Sequence, residues 1–144
     1  MPIKQENKSL YPPDWPMISR RIRIGRANNR CEVCNVRNYS VGYRMKGNFI
    51  SLASPPHKHP LGLSDYLAAR ELQDHYNNCC DQDPKAVVIV LTVAHLDHDP
   101  SNCHPKNLLC MCQHCHNIYD RAHRNETMRL TRKRGQLELQ FEQR

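Results

Sequence analysis

Cys112-Gln-His-Cys115-His116, near the end of the chain, has a counterpart much earlier in Cys31-Glu-Val-Cys34. Each Cys-x-x-Cys turn presents two thiolates on one small loop, and a tetrahedral zinc ion takes four such ligands. In a reducing compartment, two pairs at this spacing are more typical of metal ligation than of disulfides. The spacing therefore predicts a structural zinc site formed by Cys31, Cys34, Cys112 and Cys115, which would supply folding free energy that a small core lacks.

Four of the eight cysteines lie outside these two pairs. Cys110 is a competing ligand, but only Cys112 and Cys115 give the two-residue spacing. Cys79, Cys80 and Cys103 are expected to be free thiols. A redox role for the pairs is a weaker alternative, because no thioredoxin-like βαβ pattern surrounds either of them.

The composition is that of one small globular domain. The chain has 144 residues, of which 39% are hydrophobic and 24% are charged. It contains no run of about eighteen apolar residues, and its polar first residues lack the apolar region of a secretory signal. We therefore expect a cytoplasmic protein that does not associate with membranes.

The net charge of +7 is concentrated at the two ends of the chain. Residues 1–34 carry seven Lys/Arg against three acids, residues 35–120 seven against eight, and residues 121–144 seven against three. Basic ends around a neutral centre favour DNA as a partner, because neutralising phosphates releases counterions. The alternative is that the basic ends only make the protein more soluble. The predicted DNA contacts are Arg20, Arg21, Arg23, Arg26, Arg132, Lys133 and Arg134.

Prolines, turn residues and apolar spacing divide the first part of the chain. Proline restricts both itself and the residue before it, so Tyr11-Pro-Pro-Asp-Trp-Pro16 predicts extended backbone. The predicted segments are an extended lead-in at 1–17, a basic amphipathic helix at 18–27 and an insertion at 35–85 that holds a hairpin at 39–52 and a helix at 63–75.

The second part of the chain begins with the strongest strand signal in the sequence. Ala86-Val-Val-Ile-Val-Leu-Thr-Val-Ala94 is a β-branched run, and His95 ends it. Asn107-Leu-Leu-Cys-Met111 predicts a return strand after a polar loop. A helix is expected over 113–123, and then a basic tail at 125–144 that is flexible or becomes helical on binding.

Taken together, Cys31-x-x-Cys34, Val93-Ala-His95, Asn107-Leu108 and Cys112-x-x-Cys115-His116 resemble the HNH endonucleases of the phage and bacterial type that carry zinc on two Cys-x-x-Cys pairs. The resemblance lies within a single nuclease domain at 18–124 and leaves the insertion outside. It implies a small α+β fold, with a ββα-metal (His-Me finger) core, a four-Cys structural zinc, an N-terminal basic helix and an inserted helical segment.

The resemblance also implies roles for three polar side chains. His95 matches the general base that takes a proton from the attacking water, and imidazole suits this role because its pKa lies near neutral pH. Asn107 matches the side chain that braces the loop between the strands. His116 matches a ligand of the catalytic divalent ion, Mg²⁺ or Mn²⁺. The residue types alone leave open an ordinary strand-end or zinc-ligating role for His95 and a turn role for Asn107.

One position departs from the pattern of the family. The residue before His95 is Ala94, where many members carry a metal ligand, and alanine cannot ligate. The ion would then be held by His116 with Asp120, which follows on the same helix face, or by the cluster Asp97-His98-Asp99. His123 continues that helix face.

Two readings of this region stay open. In a second register, Asp97 and His98 are the ligand and the base; the length of the loop from His95 to Asn107 favours His95. Asp120 is alternatively a surface partner of Arg124.

The sequence thus predicts a metal-dependent DNA endonuclease that hydrolyses phosphodiester bonds. The alternative is a non-catalytic, zinc-stabilised module that binds nucleic acid or acts as an accessory, with a degenerate site. The resemblance suggests a phage DNA-packaging partner or another nucleic-acid-processing partner, or a role in bacterial defence or mobility.

Overall fold

The fold is that of a computed structural model, which describes residues 5–55, 62–79 and 84–142, with side chains described except at 5–7 and 134–142. It is small and of the α+β class, as predicted. The helices are α1 (Trp15–Arg20), α2 (Leu63–Cys79), α3 (Gln113–Tyr119) and α4 (Arg121–Glu142), and the strands are β1 (Val41–Met45), β2 (Asn48–Ala53), β3 (Val87–Val88), β4 (Leu91–His95) and β5 (Leu108–Cys112).

The N-terminal segment is more helical than the sequence predicts. Gln5–Leu10 forms a 3-10 helix, and α1 begins at Trp15 and continues as π-helical turns over Arg21–Arg26. The prediction of an extended lead-in to residue 17 is wrong for this reason. Pro16 lies in the first turn of α1, where a backbone N–H has no partner within the helix and proline is tolerated.

A three-stranded antiparallel sheet has the order β2-β1-β3. Its β1–β2 hairpin confirms the hairpin predicted at 39–52, and Lys46 and Gly47 at its turn both have positive φ, of 48° and 85°. Gly42 is required by close packing, because a Cβ there would lie 2.1 Å from the backbone oxygen of Ile50.

The β-branched run predicted as one strand forms two strands in different sheets. Val87–Val88 joins β1, whereas Leu91–His95 pairs with Leu108–Cys112 as an antiparallel hairpin. Between them, Ile89 exchanges backbone hydrogen bonds with residues 39–40. A continuous apolar run allows burial on both sides but does not say which partner strand it meets.

Two small cores flank this change of sheet. The first is built around Leu91, Leu108 and Met111 and includes three of the paired cysteines. The second lies under α2 and includes Val41, Ala69 and Val88. The segment predicted as an insertion at 35–85 thus contains the β1–β2 hairpin and helix α2, while β3 of the same sheet lies beyond it. Helix α2 runs four residues further than predicted, to Cys79.

The helix predicted at 113–123 is divided at Asp120 into α3 and α4. Helix α4 then continues to Glu142, so residues 125–142 of the predicted tail are helical, and its side chains from 121 to 133 are exposed. Within the described part of the chain, no helix is both long and apolar enough to cross a membrane.

Candidate functional site

The four paired cysteines come together where the turn Cys31–Cys34, here called the first knuckle, meets the end of β5. Their four sulfur atoms all lie within 4.8 Å of one another, and the Sγ atoms of Cys34 and Cys112 are 3.7 Å apart. Tetrahedral zinc with Zn–S bonds of about 2.3 Å requires sulfurs about 3.8 Å apart. The four residues could therefore hold a metal ion such as zinc, and the predicted ligand set is brought together as a unit.

Backbone amides point at one of these sulfurs. Cys31 Sγ accepts hydrogen bonds from the amides of Cys34, at 3.5 Å, and Cys112, at 3.3 Å. The hydrogen bond from the Cys112 thiol and these amides lower the pKa of Cys31, whereas burial raises the pKa of Cys115. Several buried thiolates are stable together only around a cation, so this donor set fits a soft divalent ion.

An ion pair between Arg26 and Glu32 holds the first knuckle, and both side chains also bond to the backbone of β5. Arg26 contacts both carboxylate oxygens of Glu32, at 2.8 and 2.7 Å, and also donates to the carbonyls of Pro105 and Leu108. Burial acts to raise the pKa of Glu32, but the bonds from Arg26 and the Cys110 amide outweigh it and lower that pKa. The guanidinium of Arg26, which is predicted to contact DNA, is thus engaged in hydrogen bonds within the fold.

Loop 96–107 is held by a pair of side chains at its two ends. Asn107 accepts from the Asp97 amide at 3.1 Å and donates to Asp97 Oδ1 at 2.8 Å. It also donates to the Asn102 carbonyl. The bracing role predicted for Asn107 thus has a direct structural basis. The bond from Asn107, with others from the Asp99 amide and Asn102, lowers the pKa of Asp97 to about 2.

His95 lies beneath aromatic side chains. It is 8% exposed, its ring stacks on Trp15 with centroids 4.7 Å apart, and Tyr11 meets it edge-on. Its Nε2 lies 3.6 Å from Cys103 Sγ, and burial lowers its pKa despite the charges of Asp97 and Asp99. The surroundings of His95 are thus apolar and covered. An attacking water therefore has poor access to this ring.

A second set of polar side chains gathers where loop 96–107 meets α3 and α4. His116 Nε2 lies 3.1 Å from Asp120 Oδ2, and His98 Nδ1 lies 3.8 Å from Asp120 Oδ1. The His98 ring stacks on His123 with centroids 4.0 Å apart. These side chains are partly exposed, and the structure brings His98, His116 and Asp120 together, whereas the side chain of His95 contacts Tyr11, Trp15 and Cys103.

The remaining described cysteines do not join the four-sulfur cluster. Cys110 is fully buried, and burial raises its pKa to about 12. Cys103 faces His95, and Cys79 lies 3.4 Å from His75 Nδ1 on α2. Cys80, also predicted to be a free thiol, lies outside the described residues.

The predicted DNA-contacting residues are divided between the two ends of the chain. Arg20 and Arg21 are exposed on the N-terminal helix, whereas Arg23 is partly buried. Arg132 and Lys133 are exposed on α4, whose described side chains also include exposed Arg121, Arg124 and Arg129. Arg134 lies in α4, but its side chain is outside the described part.

Sequence reasoning missed three side chains that shape the site. Thr92 Oγ1 lies 3.2 Å from His116 Nδ1, which fixes one side of that ring. The Tyr119 hydroxyl donates to the Leu96 carbonyl at 2.5 Å, and Trp15 covers His95. The alternation of β4 was a usable signal for Thr92, whereas the contacts of Trp15 and Tyr119 cross between separate elements and leave no local pattern.

Comparison with known proteins adds no relative: no protein-family model, curated protein or solved structure matches this chain.

Proposed function

We propose that this protein is a metal-dependent endonuclease of the HNH type that hydrolyses phosphodiester bonds in DNA. The observation that carries the proposal is the partly exposed cluster of His98, His116 and Asp120 beside a loop braced by Asn107. Imidazole and carboxylate groups suit both a divalent cation and a proton acceptor. The order of hairpin β4–β5 and helix α3, with its adjacent four-cysteine cluster, supports a ββα-metal core.

His98 is the general base in this proposal. Its Nδ1 faces Asp120, so Nε2 is the nitrogen left to accept a proton. Its backbone has a φ of 61°, a left-handed conformation that non-glycine residues adopt at a cost and retain at functional sites. His95 is the weaker candidate because it lies under Trp15. His98 is therefore preferred to His95 as the base, although Asp97 is not its partner ligand in this proposal.

His98 takes a proton from the attacking water as the water oxygen bonds to phosphorus. The bond from phosphorus to the 3′ oxygen breaks, and the leaving oxygen takes a proton from solvent. Asn107 keeps loop 96–107 in the shape that presents His98, and it does so through Asp97. Asp97 thereby holds the shape of the loop and is not a ligand of the ion in this proposal.

His116 Nε2 and Asp120 Oδ2 would hold the divalent ion. Their separation of 3.1 Å fits two neighbouring ligands of an octahedral ion, about 3 Å apart for bonds of about 2.1 Å. Thr92 orients the His116 ring through Nδ1 and leaves Nε2 for ligation. When bound, the ion would supply positive charge that stabilises the transition state and the leaving oxygen.

The exposed basic side chains at both ends of the chain support DNA as the substrate. Arg20 and Arg21 on one end and Arg132 and Lys133 on the other can neutralise backbone phosphates without reading sequence. A protein partner from phage DNA packaging or other nucleic-acid processing belongs to the same proposal.

Incubation of the purified protein with supercoiled plasmid and Mg²⁺ or Mn²⁺ tests the proposal. The expected result is conversion to open-circular DNA that EDTA stops and that His116→Ala abolishes. His104→Ala is the matched control, because His104 is an exposed histidine whose Nδ1 accepts from the Lys106 amide, outside the cluster. No conversion in either ion, with zinc content and folding intact, would contradict the proposal.

A non-catalytic nucleic-acid-binding module is the second candidate, and one observation favours it. Among the described residues, only the four cysteines form a group of three or more potential ligands with all donor atoms within 4.8 Å. His98, His116 and Asp120 do not meet that distance as a set. DNA binding without cleavage in any divalent ion would select this second candidate.

A further inference from the structure

A cavity of about 530 Å³ lies between the first Cys-x-x-Cys knuckle and the β1–β2 hairpin. It is separate in its residues from the His98 cluster, and none of its walls takes part in the proposed hydrolysis. Three arginines line it: Arg30, Arg37 and Arg44. Its volume lies in the range of small-molecule sites in proteins.

Two of these arginines occupy facing positions. Arg30 and Arg37 are partners in an isolated antiparallel β-bridge, and like charges at facing positions repel each other. Within the described residues, the Arg30 guanidinium makes one side-chain hydrogen bond, to the Asn35 carbonyl at 3.0 Å. Most of its five donors are therefore available to a ligand.

The described residues that line the cavity offer basic and hydroxyl groups and no carboxylate. None of the described residues that line it is Asp or Glu, and residues 35–64 of the sequence contain four Lys/Arg and no acid. Ser40, Ser51 and Ser54 add hydroxyl groups, which form a chain with oxygens 3.2 and 3.1 Å apart. Guanidinium and hydroxyl donors without carboxylates are the groups that bind phosphate.

Of the three arginines that line the cavity, Arg44 contacts the four-cysteine cluster. Arg44 donates to Cys112 Sγ at 3.3 Å and to the Gly47 carbonyl, so its positive charge offsets thiolates around a metal. Arg30 has no hydrogen bond to a sulfur atom within the described part of the chain. The positive charge of the Arg30 guanidinium thus remains available to an external anion.

We propose that this cavity binds a phosphate group through Arg30, with the serine hydroxyls as further donors. The phosphate comes from the DNA backbone or from free inorganic phosphate. The net charge of +7 favours the backbone. The backbone source rests on the proposed function, whereas the phosphate chemistry does not.

Fluorescence anisotropy with a labelled DNA duplex, over a series of salt concentrations and without added Mg²⁺ or Mn²⁺, tests the backbone source. Arg30→Gln should weaken binding several-fold and reduce the slope of log K against log salt by about 0.9, the value for one lost contact to duplex DNA. Arg30→Lys should restore the slope. Arg70→Gln is the control, because Arg70 is an exposed arginine on α2 whose guanidinium donates to Gln73, and it should leave both quantities unchanged.

Calorimetric titration with inorganic phosphate tests the other source. Saturable binding to the wild type that Arg30→Gln abolishes, with unchanged DNA binding, assigns the site to free phosphate and refutes the backbone source. If Arg30→Gln matches the wild type in both assays while keeping its zinc and its melting temperature, the cavity does not bind phosphate through Arg30. Neither assay measures cleavage. Both results can therefore be interpreted even if the protein lacks the proposed nuclease activity.

Discussion

Replacing Cys112 with serine should unfold the domain, because this residue joins the two distant halves of the four-cysteine cluster, which could hold a zinc ion. Cys34 and Cys112 are 78 residues apart, and closing a loop of that length costs about 4.5 kcal/mol in chain entropy. A structural zinc ion supplies about 10–16 kcal/mol in small zinc-binding domains, which leaves about 6–11 kcal/mol after closure. That remainder is comparable with the whole unfolding free energy of a small domain, about 5–15 kcal/mol.

The assay is zinc content by a colorimetric chelator, together with thermal unfolding followed by circular dichroism. Cys112→Ser should lose most of its zinc and its cooperative transition. Cys110→Ala is the matched control, since Cys110 is equally buried and lies in the same strand but outside the cluster. It should keep its zinc and lose about 1 kcal/mol of stability. A Cys112→Ser protein with one zinc per chain and an unchanged melting temperature would contradict a structural role for Cys112 in zinc binding.

Three further predictions concern the hairpin, the loop and the knuckle. Gly42→Ala should cost about 3 kcal/mol through overpacking, measured as a lower urea midpoint with an unchanged m-value; an unchanged midpoint would show that the close contact with β2 relaxes freely. Asn107→Ala should raise the pKa of Asp97 from about 2 towards its ordinary value, measured by carbon-detected NMR titration, and an unchanged pKa would rule out Asn107 as its main cause. Glu32→Ala should cost about 1–3 kcal/mol at pH 7. Because the folded pKa of Glu32 is lowered, the difference from the wild type should be present above about pH 4.5 and shrink as pH falls further; a difference that stays constant down to pH 3 would contradict the ion pair.

The sequence predicted the features that depend on spacing along the chain. Two Cys-x-x-Cys turns are local motifs, and their convergence followed from the number of ligands that zinc requires. The hairpin at 39–52 was predicted from turn signals at Gly42 and Gly47-Asn48. Its turn is formed by Lys46 and Gly47, which both have positive φ, whereas Gly42 lies within β1. Asn107 was assigned to the loop by resemblance, and its contacts with Asp97 agree with that assignment.

The features that the sequence did not predict depend on contacts between distant elements. The burial of His95 comes from Trp15 and Tyr11, about eighty residues earlier in the chain, and no local pattern records that stacking. The change of sheet at Ile89 is hidden in a run that is apolar throughout. Arg26 resembled any basic surface residue until its ion pair with Glu32 was visible.

The decisive measurement for the proposed mechanism is the nicking rate of His98→Ala, because His98 is the proposed general base, whereas the length of the loop to Asn107 favours His95. With supercoiled plasmid and Mn²⁺, His98→Ala should reduce the rate by about 10²–10⁴-fold, the usual contribution of a general base, with zinc content unchanged. His104→Ala should nick at the wild-type rate. A His98→Ala protein that nicks within about threefold of the wild type would contradict general-base catalysis by His98.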